Sequence, residues 1–266
     1  MIHGVKGSLL AAVSLALVGC AAPGGEAKTA SDKPAAAEKP VKFNKDPYPS
    51  TYRNYGGRPT AVRGVTIFDG EGGRIDNGVV LFAGGEVEAV GGADTAIPTG
   101  YDVIDGTGKF VTPGIIDIHS HLGDYPSPGV EAHSDGNEAT APTTPEVWAE
   151  HSVWPQDPGF SRALANGGIT SLQILPGSAN LMGGRSVTLK NVASRTIQGM
   201  KFPGAPYGMK MACGENPKRV YGGKGRMPST RMGNLAVNRQ TWLDAKADDG
   251  KKRNLATETL KGVLAG

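Results

Sequence analysis

The chain has 266 residues and a formal net charge of +3, so one large or two modest domains fit. That charge is too small to argue for a nucleic-acid partner. With 40 glycines, 19 prolines and 38% hydrophobic residues, the composition suits a folded protein with many turns between short strands.

The first twenty residues read as a targeting segment. Lys6 supplies a positive start, and Leu9 to Val18 form an apolar run too short to span a membrane. The run closes with Leu17-Val18-Gly19-Cys20, which resembles a bacterial lipoprotein signal over residues 1–19. The resemblance implies cleavage before Cys20 and lipidation of that cysteine. Ala21 is uncharged, as in the outer-membrane type. The expected location is therefore the bacterial cell envelope, lipid-anchored to the outer membrane and facing the periplasm, with the membrane engaged through the N-terminal lipid. Cys213 is then left without a partner, so no disulfide is expected. It reads as a small buried apolar residue. Residues 20–48 are rich in Ala, Lys, Pro and Glu, and cannot bury enough surface to offset their ordering entropy, which predicts a flexible tether.

Residues 49–112 change character. Strand-like runs at Val62–Phe68, Gly78–Ala83, Glu86–Val90 and Asp102–Ile104 alternate with turn residues, and Gly84-Gly85 suits a two-residue hairpin. These runs predict a small β-sandwich segment.

The segment from Val111 to Gly123 carries the chemistry. Pro113-Gly114 starts a strand, Ile115, Ile116 and Ile118 make it apolar, and Leu122-Gly123 releases it into a loop. Asp117, His119 and His121 occupy every second position, and alternate side chains of a strand share a face. Two neutral imidazoles so placed can reach one divalent ion, and their ring nitrogens suit zinc.

Beyond this strand lies a polar loop to Thr143, and Thr144-Pro145 then reads as a helix start. Asp157-Pro158 repeats that device before Phe160–Asn166, and Gly167-Gly168 stops the helix. Strands are predicted at Ile169–Leu175, Ser186–Lys190 and Tyr207–Cys213, and helices at Arg231–Ala247 and Leu255–Leu264. Alternating strands and helices favour a parallel sheet with helical crossovers.

The Asp-x-His-x-His strand, placed after Pro-Gly and a sandwich-like segment, resembles the start of the amidohydrolase superfamily, the metal-dependent hydrolases, in their imidazolonepropionase-like form. The resemblance implies an α/β fold with a (β/α)8 barrel. Residues 113–266 hold about four of its strand–helix units, so a fragment of a longer enzyme is expected. It implies hydrolysis of a carbon–nitrogen bond in a small amide-type substrate, by water activated on one or two divalent ions, most simply Zn2+. His119 and His121 carry over as metal ligands. The later histidines and the catalytic aspartate have no counterpart in this sequence.

Two residues compete to bridge the metals. Lys210 shares its strand face with the small Gly208 and Ala212, and could serve as a carbamate. Glu215 offers a carboxylate unmodified, just past that strand, and is slightly favoured; Gly214-Glu215-Asn216-Pro217-Lys218 resembles an uncharacterised subgroup. Asn180 and Arg185 are candidate substrate contacts, and Asp117 could orient a histidine ring. His133, Asp135 and Glu138 read as solvated lid polarity, and His151 as a helix surface residue. Lys218, Arg219, Lys224, Arg226 and Arg231 form a basic cluster that would suit an anionic substrate, although a solvated loop is the default and no aromatic residues interleave for nucleic acid. The competing function is a catalytically inactive envelope lipoprotein or binding module that needs a partner chain, and a homo-oligomer is compatible with either.

Overall fold

A computed structural model describes residues 46–266. The signal, Cys20 and the tether up to residue 45 lie outside the described residues. Among the described residues no helix is long and apolar enough to cross a membrane.

The first sheet comprises β1 (Thr60–Phe68), β2 (Arg74–Ala83), β3 (Glu86–Gly91), β4 (Asp102–Asp105) and β5 (Phe110–Val111). The order is β3-β2-β1-β4, with β5 also on β1. The first three strands form an antiparallel meander, and β4 and β5 run parallel to β1. Gly84 (φ 63°) and Gly85 (φ 83°) turn the β2–β3 hairpin, where both central residues need left-handed backbone. The register of β1 slips between Arg63 and Val65, at Gly64 with φ 73°. Ala61 consequently packs with Val79 and Leu81, whereas Val65 and Ile67 pack with Val80. A sandwich is predicted here; the described residues form one sheet with a small apolar cluster on each side.

The next unit carries the histidines. β6 (Ile115–Ser120) leads through the long loop to α1 (Pro158–Gly167) and then to β7 (Ile169–Ile174), which pairs parallel with β6. The predicted punctuation of α1 is present. The Asp157 side chain accepts from Gly159 N–H, Pro158 opens the first turn, and Gly168 closes the helix at φ 63°. Leu172, Ile174, Leu189 and Met200, each 0% exposed, centre the main apolar cluster. Burial of each such side chain contributes about 1.5–3 kcal/mol.

After β7 the strictly parallel expectation fails. β8 (Met182–Arg185), which the sequence leaves as loop, and β9 (Val187–Lys190) are separated by Ser186 alone. The link from β7 to β9 holds β8 and no crossover helix, and β9 folds back antiparallel on β7. β10 (Met209–Met211) pairs antiparallel with β8. The sheets are therefore β6-β7-β9 and β10-β8. One parallel βαβ unit stands where four strand–helix units are expected.

The helix predicted from Thr144-Pro145 is also absent. Thr143 and Trp148 form parallel bridges to Met182 and Arg185. Val147 O accepts from Arg185 N–H at 2.8 Å, and Thr144 N–H donates to Met182 O at 2.8 Å. Neighbouring backbone claims the groups that a helix would have used, and only a 3-10 turn at Ala149–His151 follows. α2 (Glu215–Gly222) is not anticipated by the sequence, whereas α3 (Arg231–Ala247) and α4 (Leu255–Ala265) fall where predicted. Met209 of β10 packs with Met182, Trp242, Ala245 and Leu260, which seats α3 and α4 against the β10-β8 pair.

Candidate metal centre

The end of β6 brings His119 and His121 side by side, with ring centroids 5.3 Å apart and planes at 82°. The His121 Nδ1 atom lies 2.7 Å from Leu175 O, just beyond β7. A carbonyl only accepts, so Nδ1 carries a proton and Nε2 is the ring atom left to face a metal. A backbone carbonyl on the remote nitrogen is the usual support of a metal-binding imidazole. Asp117 does not orient either ring: its Oδ1 accepts from the backbone N–H of His119 at 3.0 Å.

Lys210 completes the group. It sits on β10 opposite Gly184 and is 6% exposed. Its Nζ lies 3.2 Å from His119 Nε2. Burial pushes the Lys210 ammonium below its ordinary value, towards the neutral amine. The neighbouring Lys210 charge, then burial, then His121 lower His119. Among the described residues, no three His, Cys, Asp or Glu side chains converge to hold a metal ion. The donors present are thus two imidazoles and one amine.

Glu215 is placed elsewhere. It opens α2 as an exposed residue, because β10 ends at Met211 and the chain turns into a helix two residues after Cys213. Of the two bridging candidates, Lys210 lies within hydrogen-bond distance of His119. Cys213 is exposed rather than buried, in that connecting turn.

Asn180 and Arg185 are buried and engaged in structural contacts, and Arg185 also borders a cavity with Tyr207, Met209 and Val263. Asn180 is 1% exposed. Its Nδ2 donates to Glu138 O and Thr144 Oγ1 at 2.7 Å each, and its Oδ1 accepts from Tyr221 OH. Both its N–H donors and its carbonyl oxygen are thereby engaged. Arg185 is 6% exposed, with its guanidinium between the rings of Trp148 at 3.3 Å and Tyr207 at 3.7 Å. Its NH2 pairs with Glu150 Oε1 at 3.0 Å. Glu150 also meets Lys201 at 2.8 Å, and Lys201 meets Asp46 at 2.8 Å. Tether residues 46–48 are therefore held: Lys201 also donates to Tyr48 O.

The basic cluster does structural work as well. Lys224 Nζ donates to Ala139 O and Arg226 to Thr140 O, tying the loop after β6 to α2. Within that loop Asp135 and Glu138 are exposed and His133 is half-buried against Trp154, at 4.8 Å between centroids. His151 stacks on Trp148 in the 3-10 turn, with 55% of its side chain exposed. Sequence reasoning missed the Leu175 carbonyl, which carries no side-chain signal, and the buried Glu150–Lys201 pair, which unites residues far apart in the chain.

Known proteins similar to this chain include amidohydrolases and dihydroorotases. The crystal structure of an amidohydrolase from Thermotoga maritima MSB8 superposes with a TM-score of 0.69 and 38% identity, over 77% of this chain and 55% of that one. The amidohydrolase tasK of Hapsidospora irregularis is 34% identical over 228 residues, 74% of this chain and 23% of that protein. A dihydroorotase of Citrifermentans bemidjiense is 30% identical over 190 residues, 71% of this chain and 36% of that protein. No family model matches. These likenesses support the amidohydrolase superfamily and a hydrolytic enzyme. The chain spans just under a quarter and just over a third of the length of these two curated relatives.

Proposed function

We propose that this chain carries the first part of a metal-dependent hydrolase that cleaves a carbon–nitrogen bond of a small amide, ring-amide or dipeptide substrate. The observation that carries the reading is the convergence of His121, proton-fixed by Leu175 O, with His119 and the buried Lys210. The donors fit a borderline divalent ion such as zinc once Lys210 is carboxylated. In that step the neutral amine nitrogen of Lys210 adds to CO2, an N–C bond forms, and one proton leaves to solvent. Burial of Lys210 supports it by disfavouring the ammonium. When bound, the metal would supply hydroxide near neutral pH and polarise the scissile carbonyl. This chain's residues hold the two imidazoles at the mouth of β6, fix the tautomer of one, and place the lysine between β8 and the rings.

The test is metal analysis of the full-length protein, followed by a panel of amides, dipeptides, lactams and ureides. The expected result is zinc in the wild type, its loss in H119N and H121N, and hydrolysis of at least one panel member. A Lys210 mass raised by CO2, with E215Q keeping its metal, assigns the bridging role to Lys210. A protein that binds no zinc and cleaves no panel member sinks the reading.

The alternative, a module that needs a partner polypeptide, is favoured by one observation. Ile115, Ile116 and Ile118 on β6 are 52%, 64% and 74% exposed, and such a strand calls for cover. The two readings meet if further barrel elements cover β6. Envelope anchoring through lipid on Cys20 belongs to the same proposal and rests on residues 1–20 alone; labelling with radioactive palmitate should fail in C20S.

A further inference from the structure

We propose that Asp157, besides capping α1, is a positioning residue for His121; the proposal rests on the reading of His121 as a metal ligand. Asp157 is 5% exposed and its two oxygens serve two different segments. Oδ1 caps the helix by accepting from Gly159 N–H at 2.9 Å. Oδ2 accepts from Gly123 N–H at 3.0 Å, and Oδ1 also takes Ser127 N–H at 3.3 Å. The carboxylate thereby grips the chain two residues after His121, 34 residues away in sequence.

The surroundings leave that grip little slack. Gly123 adopts φ 83°, and a Cβ on it would stand 2.7 Å from Val153 Cγ1 and 3.1 Å from Trp154 N. Gly123 O accepts from Trp154 N–H at 3.0 Å. Leu122 packs on the main cluster, and a Cβ on Gly159 would stand 2.7 Å from its Cδ2. The exit of β6 is thus pinned to the N-terminus of α1 through backbone and carboxylate together. His121 hangs between this anchor and the Leu175 carbonyl. An imidazole held from one side alone could swing about its backbone; the Asp157 anchor removes that freedom and keeps Nε2 aimed beside His119.

The informative variant is D157N. Asparagine caps helices as well as aspartate does, so α1 keeps its N-cap. Its amide nitrogen, turned away from Gly159, faces the Gly123 N–H donor against donor and breaks the grip alone. G168A is the control. It strains the left-handed closure of α1 at the far end and touches nothing near Gly123.

Zinc titration of the wild type, H121N, D157N and G168A is combined with imidazole ¹⁵N spectra of the metal-free proteins. Loss of an outer partner of a ligand weakens binding about 10–100-fold. D157N should lose affinity in that range and shift or broaden the His121 Nδ1–H resonance, while G168A does neither. Affinity and resonance of D157N within twofold of wild type and unshifted, or equal losses in D157N and G168A, overturn the proposal. If the wild type binds no zinc, the metal reading alone fails. The His121 resonance then decides: a shift confined to D157N supports positioning, and an unchanged signal overturns it.

Discussion

Replacing Asn180 by alanine separates a substrate contact from a structural linchpin. The side chain is 1% exposed and bonds Glu138 O, Thr144 Oγ1 and Tyr221 OH. In N180A the Thr144 hydroxyl keeps Met182 O at 3.4 Å, and the Tyr221 hydroxyl keeps Ala141 O at 2.5 Å. Only the Glu138 carbonyl loses this bond outright. An orphaned carbonyl costs about 1–3 kcal/mol, and each weakened hydroxyl about 0.5–1 kcal/mol. The expected loss is about 2–5 kcal/mol, a fall of roughly 4–20 °C in Tm for a domain of this size. Urea unfolding followed by tryptophan fluorescence measures it. The double variant N180A/Y221F should lose about 1 kcal/mol less than the sum of its singles, because they share one bond. A loss below about 0.5 kcal/mol in N180A would refute the structural assignment and return Asn180 to the pocket.

Asp124 should make stability depend on pH. It is 0% exposed, Ser152 donates to one of its oxygens, and burial pushes its carboxyl from 3.8 up to about 7. A raised folded value means that its contribution is full below pH 4 and is lost as the pH climbs to 7, by at most about 4 kcal/mol. D124N should flatten that slope between pH 4.5 and 8; parallel curves would contradict it. K201M removes a cation that is 3% exposed and leaves the buried Glu150 with Arg185 and the more distant His151, at a cost of about 3 kcal/mol by thermal unfolding. An unchanged Tm would show the pair to be dispensable. G85A should cost about 1–2 kcal/mol, since φ is 83° and the new Cβ would stand 3.0 Å from Asn54 Cβ. A neutral result would mean that the hairpin turn adapts.

Local chemistry was readable in the chain wherever neighbours in sequence are neighbours in space. Asp157-Pro158 and Gly168 mark both ends of α1, Gly84-Gly85 marks the hairpin, and the spacing of His119 and His121 puts both rings at one strand end. Contacts with remote segments escaped that local reading. Thr144-Pro145 has the composition of a helix start, yet β8 takes its backbone groups, and no local signal announces β8. Glu215 has the right chemistry for a bridging ligand, but α2 carries it out to solvent.

What only the tertiary structure decided is which distant groups meet. Leu175 O selects the His121 tautomer, and the β10–β8 pairing delivers Lys210 to His119. Asn180 and Arg185 looked available in sequence because a polar side chain in a loop is usually solvated. Packing consumed both, Asn180 in three hydrogen bonds and Arg185 between two aromatic rings and a carboxylate. Sequence fixes which donors exist and on which side of their own strand they stand. Burial and pairing with remote segments settle which of them remain free to bind, because those depend on contacts dozens of residues apart.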